Sequence, residues 1–327
     1  MKTFPDPHVI EQELRAIQHD ASPNEARTSL FNLVIFLGET QDSKVTEALN
    51  YLHGKRPARI IKVLRNQKGP TRADVTARCV TDHEDRGICI QEITILSGED
   101  GAGEDPGAWG PLLIREIPVI VWWADALPDQ GFPILFEEYQ DRVLVDSSLF
   151  PSPLDFYLSQ GDLSHLHLGD LTWSKVLPLM KLTAQIFNPL DFRPDLHSLK
   201  RIDMIGAKSC EASLYFLWIM NKMNWNEKQP LKELPWSLVG SDGQLIQMNH
   251  SSPKDLKLGF EVQFETTQGK IYKIIGSTEG FAQVQAPGVE DYKTILKFPS
   301  MGETLLREVD QTHGDRLFLD TITQKSF

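Results

Sequence analysis

Residues 30–37 read LFNLVIFL, a near-continuous apolar run closed by Gly38. A run this short and apolar on both alternating faces is a strand buried on both sides, which requires a covering layer above and below it. The next segment supplies such a layer. Asp42 or Ser43 can cap a helix whose Val45, Ala48, Leu49 and Leu52 fall on one side, and Gly54 ends it. Ala58 to Leu64 (ARIIKVL) is then a second strand. Strand, helix and strand in that order favour a right-handed crossover between parallel strands, so the chain opens as an α/β protein.

Before that unit, Asp6-Pro7 followed by Ile10, Leu14 and Ile17 predicts a helix over His8 to Gln18. After it, Val75, Ala77 and Cys79 alternate with polar residues, and Ile88 to Leu96 is β-branched and apolar, which predicts an antiparallel pair and hence a mixed sheet. Ile117 to Trp123, a helix around Phe132 to Tyr139, and Arg142 to Val145 form a second strand-helix-strand unit. Pro151 and Pro153, a short helix at Leu154 to Leu158 and a polar bridge over Ser159 to Asp170 mark a break. The boundary is placed near 165. Beyond it, helices at Trp173 to Phe187 and Glu211 to Asn224 flank a strand at Ser198 to Ile205. Six short strands follow between Trp236 and Phe298, with Asp242-Gly243 and Gln268-Gly269 as turns, then a helix at Gly302 to Val309 and a short tail. The expected architecture is an α/β domain with a mixed sheet over 1–165 and an α+β domain with an antiparallel sheet over 166–327.

Charge narrows the function. Lys plus Arg number 33 against 45 Asp plus Glu, a formal net charge of −12 over 327 residues. That balance opposes phosphate backbones and anionic membranes, so neither nucleic acid nor membrane is an expected partner. The longest apolar runs, Ile117 to Ala124 and Leu214 to Met220, fall far short of the ~20 residues that cross a bilayer. Acidic residues interrupt the first twenty positions, unlike a secretory signal, and the cytoplasm is the expected location. Cys79, Cys89 and Cys210 lack the paired spacing of a zinc site and read as small core residues.

The motifs supply no catalytic constellation, no cofactor and no metal. The loop SGEDGAGEDPG (Ser97 to Gly107) is rich in glycine, but its four carboxylates oppose a phosphate. His165 and His167 lack a third ligand at diagnostic spacing and read as linker histidines. Asp146-Ser147-Ser148, at a strand end, is the best position for a reactive serine, but a cap for the helix near Leu154 or a turn is the reading favoured for it. Trp122-Trp123 is less ordinary. Adjacent strand residues face opposite sides, so one indole can enter the core while the other meets a ligand or partner. Trp173 beside Lys175, and Asp141-Arg142 before a strand, suit either an interface rim or intramolecular ion pairs.

Six segments occur in an order that resembles one family: NLVIF (Asn32 to Phe36), RPARIIKV (Arg56 to Val63), CIQEITI (Cys89 to Ile95), PLLIREIPVIVWW (Pro111 to Trp123), YQDRVLVDSS (Tyr139 to Ser148) and GDLTWSKVLPLMKLTAQIFNP (Gly169 to Pro189). Together they resemble the glucose-6-phosphate dehydrogenase assembly protein family, OpcA, over residues 30 to 225. The resemblance implies a noncatalytic protein whose partner is glucose-6-phosphate dehydrogenase, at the entry to the oxidative pentose phosphate pathway. Where the family carries arginine after the tryptophan, this chain has Lys175, which lacks the bidentate fork. Thiol control is not carried over, because Cys79 and Cys89 read as core positions. The expected partner surface comprises Trp122, Trp123, Arg142, Trp173 and Lys175. The alternative is an enzyme or sensor that holds a sugar phosphate or nucleotide in the crevice at the strand ends. With no acidic cluster committed to chemistry, the −12 reads as solubility plus a complement to a basic face on a partner.

Overall fold

The computed structural model describes residues 6–21, 29–53, 55–81, 87–126, 139–150, 154, 156–157, 167–228, 231, 234–240, 242–252, 259–311 and 314–323. The helix expected around Phe132 to Tyr139 lies outside them, apart from Tyr139 itself, as does His165. The short helix expected at Leu154 to Leu158 is described only at Leu154, Phe156 and Tyr157.

The elements in chain order begin with α1 (Pro7–Ala21), β1 (Phe31–Leu37), α2 (Asp42–Leu52), β2 (Ala58–Leu64), β3 (Arg72–Thr81) and β4 (Gly87–Leu96). Next come α3 (Pro106–Trp109), β5 (Val119–Ala124), β6 (Arg142–Val145), β7 (Gly169–Asp170), α4 (Leu171–Ile186), α5 (Arg193–His197), β8 (Leu199–Ile205) and α6 (Ser209–Lys222). The chain continues with β9 (Asn226–Glu227), β10 (Trp236–Val239), β11 (Leu245–Ser251), β12 (Phe260–Thr266), β13 (Ile271–Gly276), β14 (Phe281–Gln285) and β15 (Tyr292–Ile295), then α7 (Met301–Val309) and α8 (Arg316–Thr323). The expected short tail after Val309 is therefore corrected: an amphipathic helix, α8, buries Phe318, Thr321 and Ile322.

The chain forms two compact units that are discontinuous in sequence. Residues 1–150, 163–171 and 300–316 make the first, and residues 151–162, 172–299 and 317–327 make the second. The first is built on a seven-stranded sheet in the order β3-β4-β2-β1-β5-β6-β7. Every neighbouring pair is parallel except β3 with β4, whose register sets Cys79 opposite Cys89. One face of the sheet, including Leu33, Ile35, Ile60, Trp122 and Leu144, packs with Val45, Leu49 and Leu52 of α2 and Leu305 and Val309 of α7. The other face presents Val34, Phe36, Ile61, Val121 and Trp123, all buried as well. Burial on both sides is why β1 and β5 read as unbroken apolar runs.

Helix α7 reaches this unit from the far end of the sequence, and an ion pair holds it there. Arg142, the first residue of β6, is 1% exposed. Its guanidinium donates to the Glu308 carboxylate, to the backbone carbonyls of Glu308 and Gln311, and to the His167 carbonyl at 3.2 Å. Burial lowers the pKa of Arg142 below its ordinary value, against the charge and hydrogen bonds of Glu308, which raise it. The clamp requires a glycine beside it. A Cβ at Gly169 would stand 2.5 Å from Glu308 Oε2 and 2.6 Å from Arg142 Nη2.

The second unit carries an eight-stranded sheet in the order β15-β14-β13-β12-β8-β11-β10-β9. It is antiparallel apart from one parallel pair, β8 with β11, a difference from the expected all-antiparallel meander. That pair arises because α6 and the β9-β10 hairpin separate the two strands in sequence and return β11 in the same direction. One face is apolar and covered: Phe264 and Tyr272 pack on Phe187 at 5.3 and 4.8 Å between ring centres, and Trp236 packs on Phe216 of α6 at 6.2 Å. The opposite face alternates polar residues and stays partly solvated.

Arg142→Ala leaves the Glu308 carboxylate buried without its cation and should cost about 3–5 kcal/mol of stability, measured by urea unfolding. Asp195, buried, accepts from Lys270 Nζ at 2.9 and 2.8 Å and from the Tyr272 hydroxyl. Burial raises its pKa, but the bonds from Lys270 and Tyr272 and the Lys270 charge outweigh that and hold the carboxyl below its ordinary value. Its contribution is complete above the unfolded carboxylate pKa of about 3.9 and disappears as pH falls through the lower folded value. Asp195→Asn should therefore flatten the acid limb of the stability profile, while wild type loses stability there.

Candidate functional site

Two regions bear first on function: the crevice at the carboxyl ends of the parallel strands, and the solvated face of the second sheet. In the first unit the strand order reverses direction of growth at β1, between β2 and β5, which is the point where such sheets usually admit a ligand. The turn after β1 carries a single glycine, Gly38, followed by Glu39 and Asp42 at the helical start, so it places carboxylates where a phosphate loop would place bare amides. The crevice is also filled by the chain itself. Arg65, after β2, donates to Glu104 at 2.9 Å and to Asp125 at 2.8 Å, and its guanidinium lies 4.7 Å over the Trp123 ring. The Asp125 carboxylate covers Gly38 so closely that a Cβ there would meet both oxygens at 3.3 Å. Asp146 accepts from the Ser148 amide at 3.0 Å and Asp170 from the Ser147 amide at 3.2 Å, which is the cap arrangement at β6. In the glycine-rich loop, Asp100 accepts from Ala102 and Asp105 from Gly107, at 3.0 and 2.9 Å, so these carboxylates serve the turns.

The five residues expected to face a partner do not assemble into a surface. Trp122 and Trp123 do point to opposite sides, yet both are buried, because both faces of the first sheet are covered. Trp123 stacks on Phe36 with ring centres 5.6 Å apart. Arg142 is the buried clamp described above. Trp173 is fully buried against Phe318 of α8, 5.3 Å between ring centres. Lys175 remains accessible and pairs with Glu211 at 2.6 Å, beside a cleft of about 430 Å³ that Glu211 also lines. Burial therefore removes the three tryptophans and the arginine from direct contact with a partner.

The sequence reading missed a different patch. On the solvated face of the second sheet, Phe281 of β14 and Ile295 of β15 are directly paired, and they are 48% and 77% exposed. Together with Ile275 they line a cleft of about 730 Å³ whose polar members include Gln283 and Lys293. Among the described residues β15 has β14 on one side and no strand on the other, an edge able to extend the sheet. A signal existed in the sequence. Ala282 and Val284 set the buried phase of β14, and Phe281 is an aromatic residue out of phase with them.

Of the two compact units, one is built on a mixed, mostly parallel α/β sheet and the other on a one-sided, largely antiparallel sheet. Residues 50–160 match the family model described as the glucose-6-phosphate dehydrogenase subunit N-terminal domain, and residues 166–322 match its C-terminal domain. The chain belongs to that family, OpcA. It is 27% identical over 180 residues to a putative OxPP cycle protein OpcA from Synechocystis sp., covering 52% of this chain and 38% of that one. To the protein of the same description from Nostoc punctiforme it is 29% identical over 189 residues, covering 55% and 40%. The matches thus span about two-fifths of the length of these curated relatives. Among solved structures, an oxidoreductase from Sinorhizobium meliloti is similar at a TM-score of 0.48 and 7% identity, covering 91% of this chain and 95% of that one. No helix among the described residues is long and apolar enough to cross a membrane.

Trp173→Ala should destabilise the fold by about 3–5 kcal/mol, as for truncation of a buried aromatic residue. Lys175→Met should change stability by less than about 1 kcal/mol, because its ion pair is partly exposed. Denaturant unfolding of the two variants side by side checks the assignment.

Proposed function

We propose that this protein is a noncatalytic assembly factor or allosteric activator that binds glucose-6-phosphate dehydrogenase in the cytoplasm and serves the oxidative pentose phosphate pathway. The observation that carries this reading is the match of both halves of the chain to domains described as subunits of that dehydrogenase. The names of the two relatives, which place them in the OxPP cycle, agree with it. Two features of the structure support a binding role over the alternative of a sugar-phosphate or nucleotide enzyme. The strand-end crevice is acidic and is closed by Arg65, Glu104 and Asp125. The solvated sheet face, in contrast, offers Phe281 and Ile295 beside an open edge, the type of apolar anchor that protein interfaces use.

Such a factor must bind one state of the dehydrogenase better than another, because equal affinity for both shifts nothing. The test is titration of the purified protein into the dehydrogenase from the same cell, with complex mass and activity followed together. A complex and a changed rate or substrate affinity are expected; neither appearing would defeat the proposal. Phe281→Glu combined with Ile295→Glu should weaken the complex by roughly tenfold or more, about 1.4 kcal/mol, with the circular dichroism spectrum unchanged. Unaltered affinity would move the contact away from this face.

A further inference from the structure

The second unit holds an apolar trough that the partner reading leaves unused. Its volume is about 530 Å³, within the roughly 300–1,000 Å³ of small-molecule sites. Leu177, Met180, Phe187, Trp218, Ile219 and Phe264 form its floor and walls, all of them buried or nearly so. The mouth has a different character. Lys181 of α4, Arg193 and His197 of α5, and Lys222 of α6 stand around it, all exposed, and no carboxylate lines it among the described residues. This is a local excess of positive charge on a chain whose net charge is −12.

Among the described residues these cations are not spent on ion pairs elsewhere. Lys181 and Lys222 have no ion-pair partner among the described residues, and Arg193 donates to the backbone and side-chain oxygens of Asn188, at 3.0 and 3.2 Å. The polar groups of the interior are committed in the opposite sense. The Thr183 hydroxyl, in the wall, donates to the Leu179 carbonyl at 3.0 Å and sits 2.7 Å from the Tyr215 hydroxyl. Below the mouth the trough therefore offers a ligand chiefly apolar contact, with the Trp218 indole N–H as a donor that has no protein partner among the described residues. A sugar or nucleotide entering it would strand most of its own polar groups without hydrogen-bond partners. A hydrocarbon chain would strand no polar group and would be stabilised by the apolar area it buries.

From this division we infer that the trough binds an amphipathic anion, an acyl or similar apolar chain that enters the interior while its carboxylate or phosphate head stays among Lys181, Arg193, His197 and Lys222. The met-lined wall at Met180 and Met223 suits a chain of variable shape, since an unbranched thioether adapts to irregular neighbours. The site is independent of the proposed dehydrogenase contact, whose residues lie on the solvated face of the sheet, and its failure would leave that reading untouched.

The probe is dodecanoate, titrated calorimetrically into the full-length protein below its micellar concentration. Saturable binding of one molecule is expected, with dodecyltrimethylammonium, of equal chain length and opposite charge, binding at least tenfold more weakly or not at all. Ala184, exposed at the wall, can carry a larger side chain without entering the core. Ala184→Trp should abolish binding, and Lys181→Glu with Lys222→Glu should lower affinity roughly tenfold or more, both with unchanged circular dichroism. Flotation with phosphatidylglycerol vesicles separates a free amphiphile from a lipid surface, and no flotation is expected. The inference is overturned by the absence of saturable dodecanoate binding, by equal binding of the cationic analogue, or by binding that both sets of variants leave intact. Flotation without dodecanoate binding would equally overturn it.

Discussion

The buried pair of Arg142 and Glu308 is the constraint around which the first unit closes. It joins the start of an interior strand to a helix 166 positions further along the chain. An isolated charge at either place would be expelled or would unfold its surroundings, so the strand and the helix require each other. The guanidinium also serves three backbone carbonyls, of Glu308, Gln311 and His167, at the end of α7 and beside β7. In that sense one side chain completes the last turn of a helix and the edge of a sheet together. Leu305 and Val309, on the same helix, then seal the apolar face that α2 covers in part.

Much of this fold can be read directly from local pattern. The run LFNLVIFL, the capped helix after it and ARIIKVL reappear as β1, α2 and β2, paired in parallel, because two-sided burial and helical spacing leave distinct marks on sequence. The strands of the second unit carry the alternation of a sheet covered on one side. The long-range associations left no such mark. Nothing in the helical pattern MGETLLREV over residues 301–309 says that its buried face belongs to a sheet completed much earlier, and a parallel β8-β11 pair looks the same locally as an antiparallel one.

The site was less legible than the fold, for a related reason. Trp122, Trp123, Trp173 and Arg142 attract attention as large or charged groups, but their roles depend on what covers them. Covering layers come from distant segments: α2 and α7 over Trp122, and α8 over Trp173. The exposed pair Phe281 and Ile295 is, in contrast, unremarkable in composition and is distinguished by its phase relative to Ala282 and Val284. Charge behaves similarly. The global −12 suggested an acidic surface, whereas the second unit sets four basic side chains around one apolar opening, an arrangement that depends on three helices converging.

The discontinuity of the first unit has a consequence for synthesis. A ribosome that has released residues 1–171 has made every strand of the seven-stranded sheet, yet the helix that covers part of its apolar face is still about 130 residues away. Until α7 emerges, Arg142 has no carboxylate, and Trp122 and its neighbours lack one of their covering layers. The second sheet can be formed in the interval, since β8 to β15 all precede residue 300. The strands of the second unit's sheet are thus all synthesised before the first unit can close, and the contact that joins β6 to α7 spans the whole of that intervening chain.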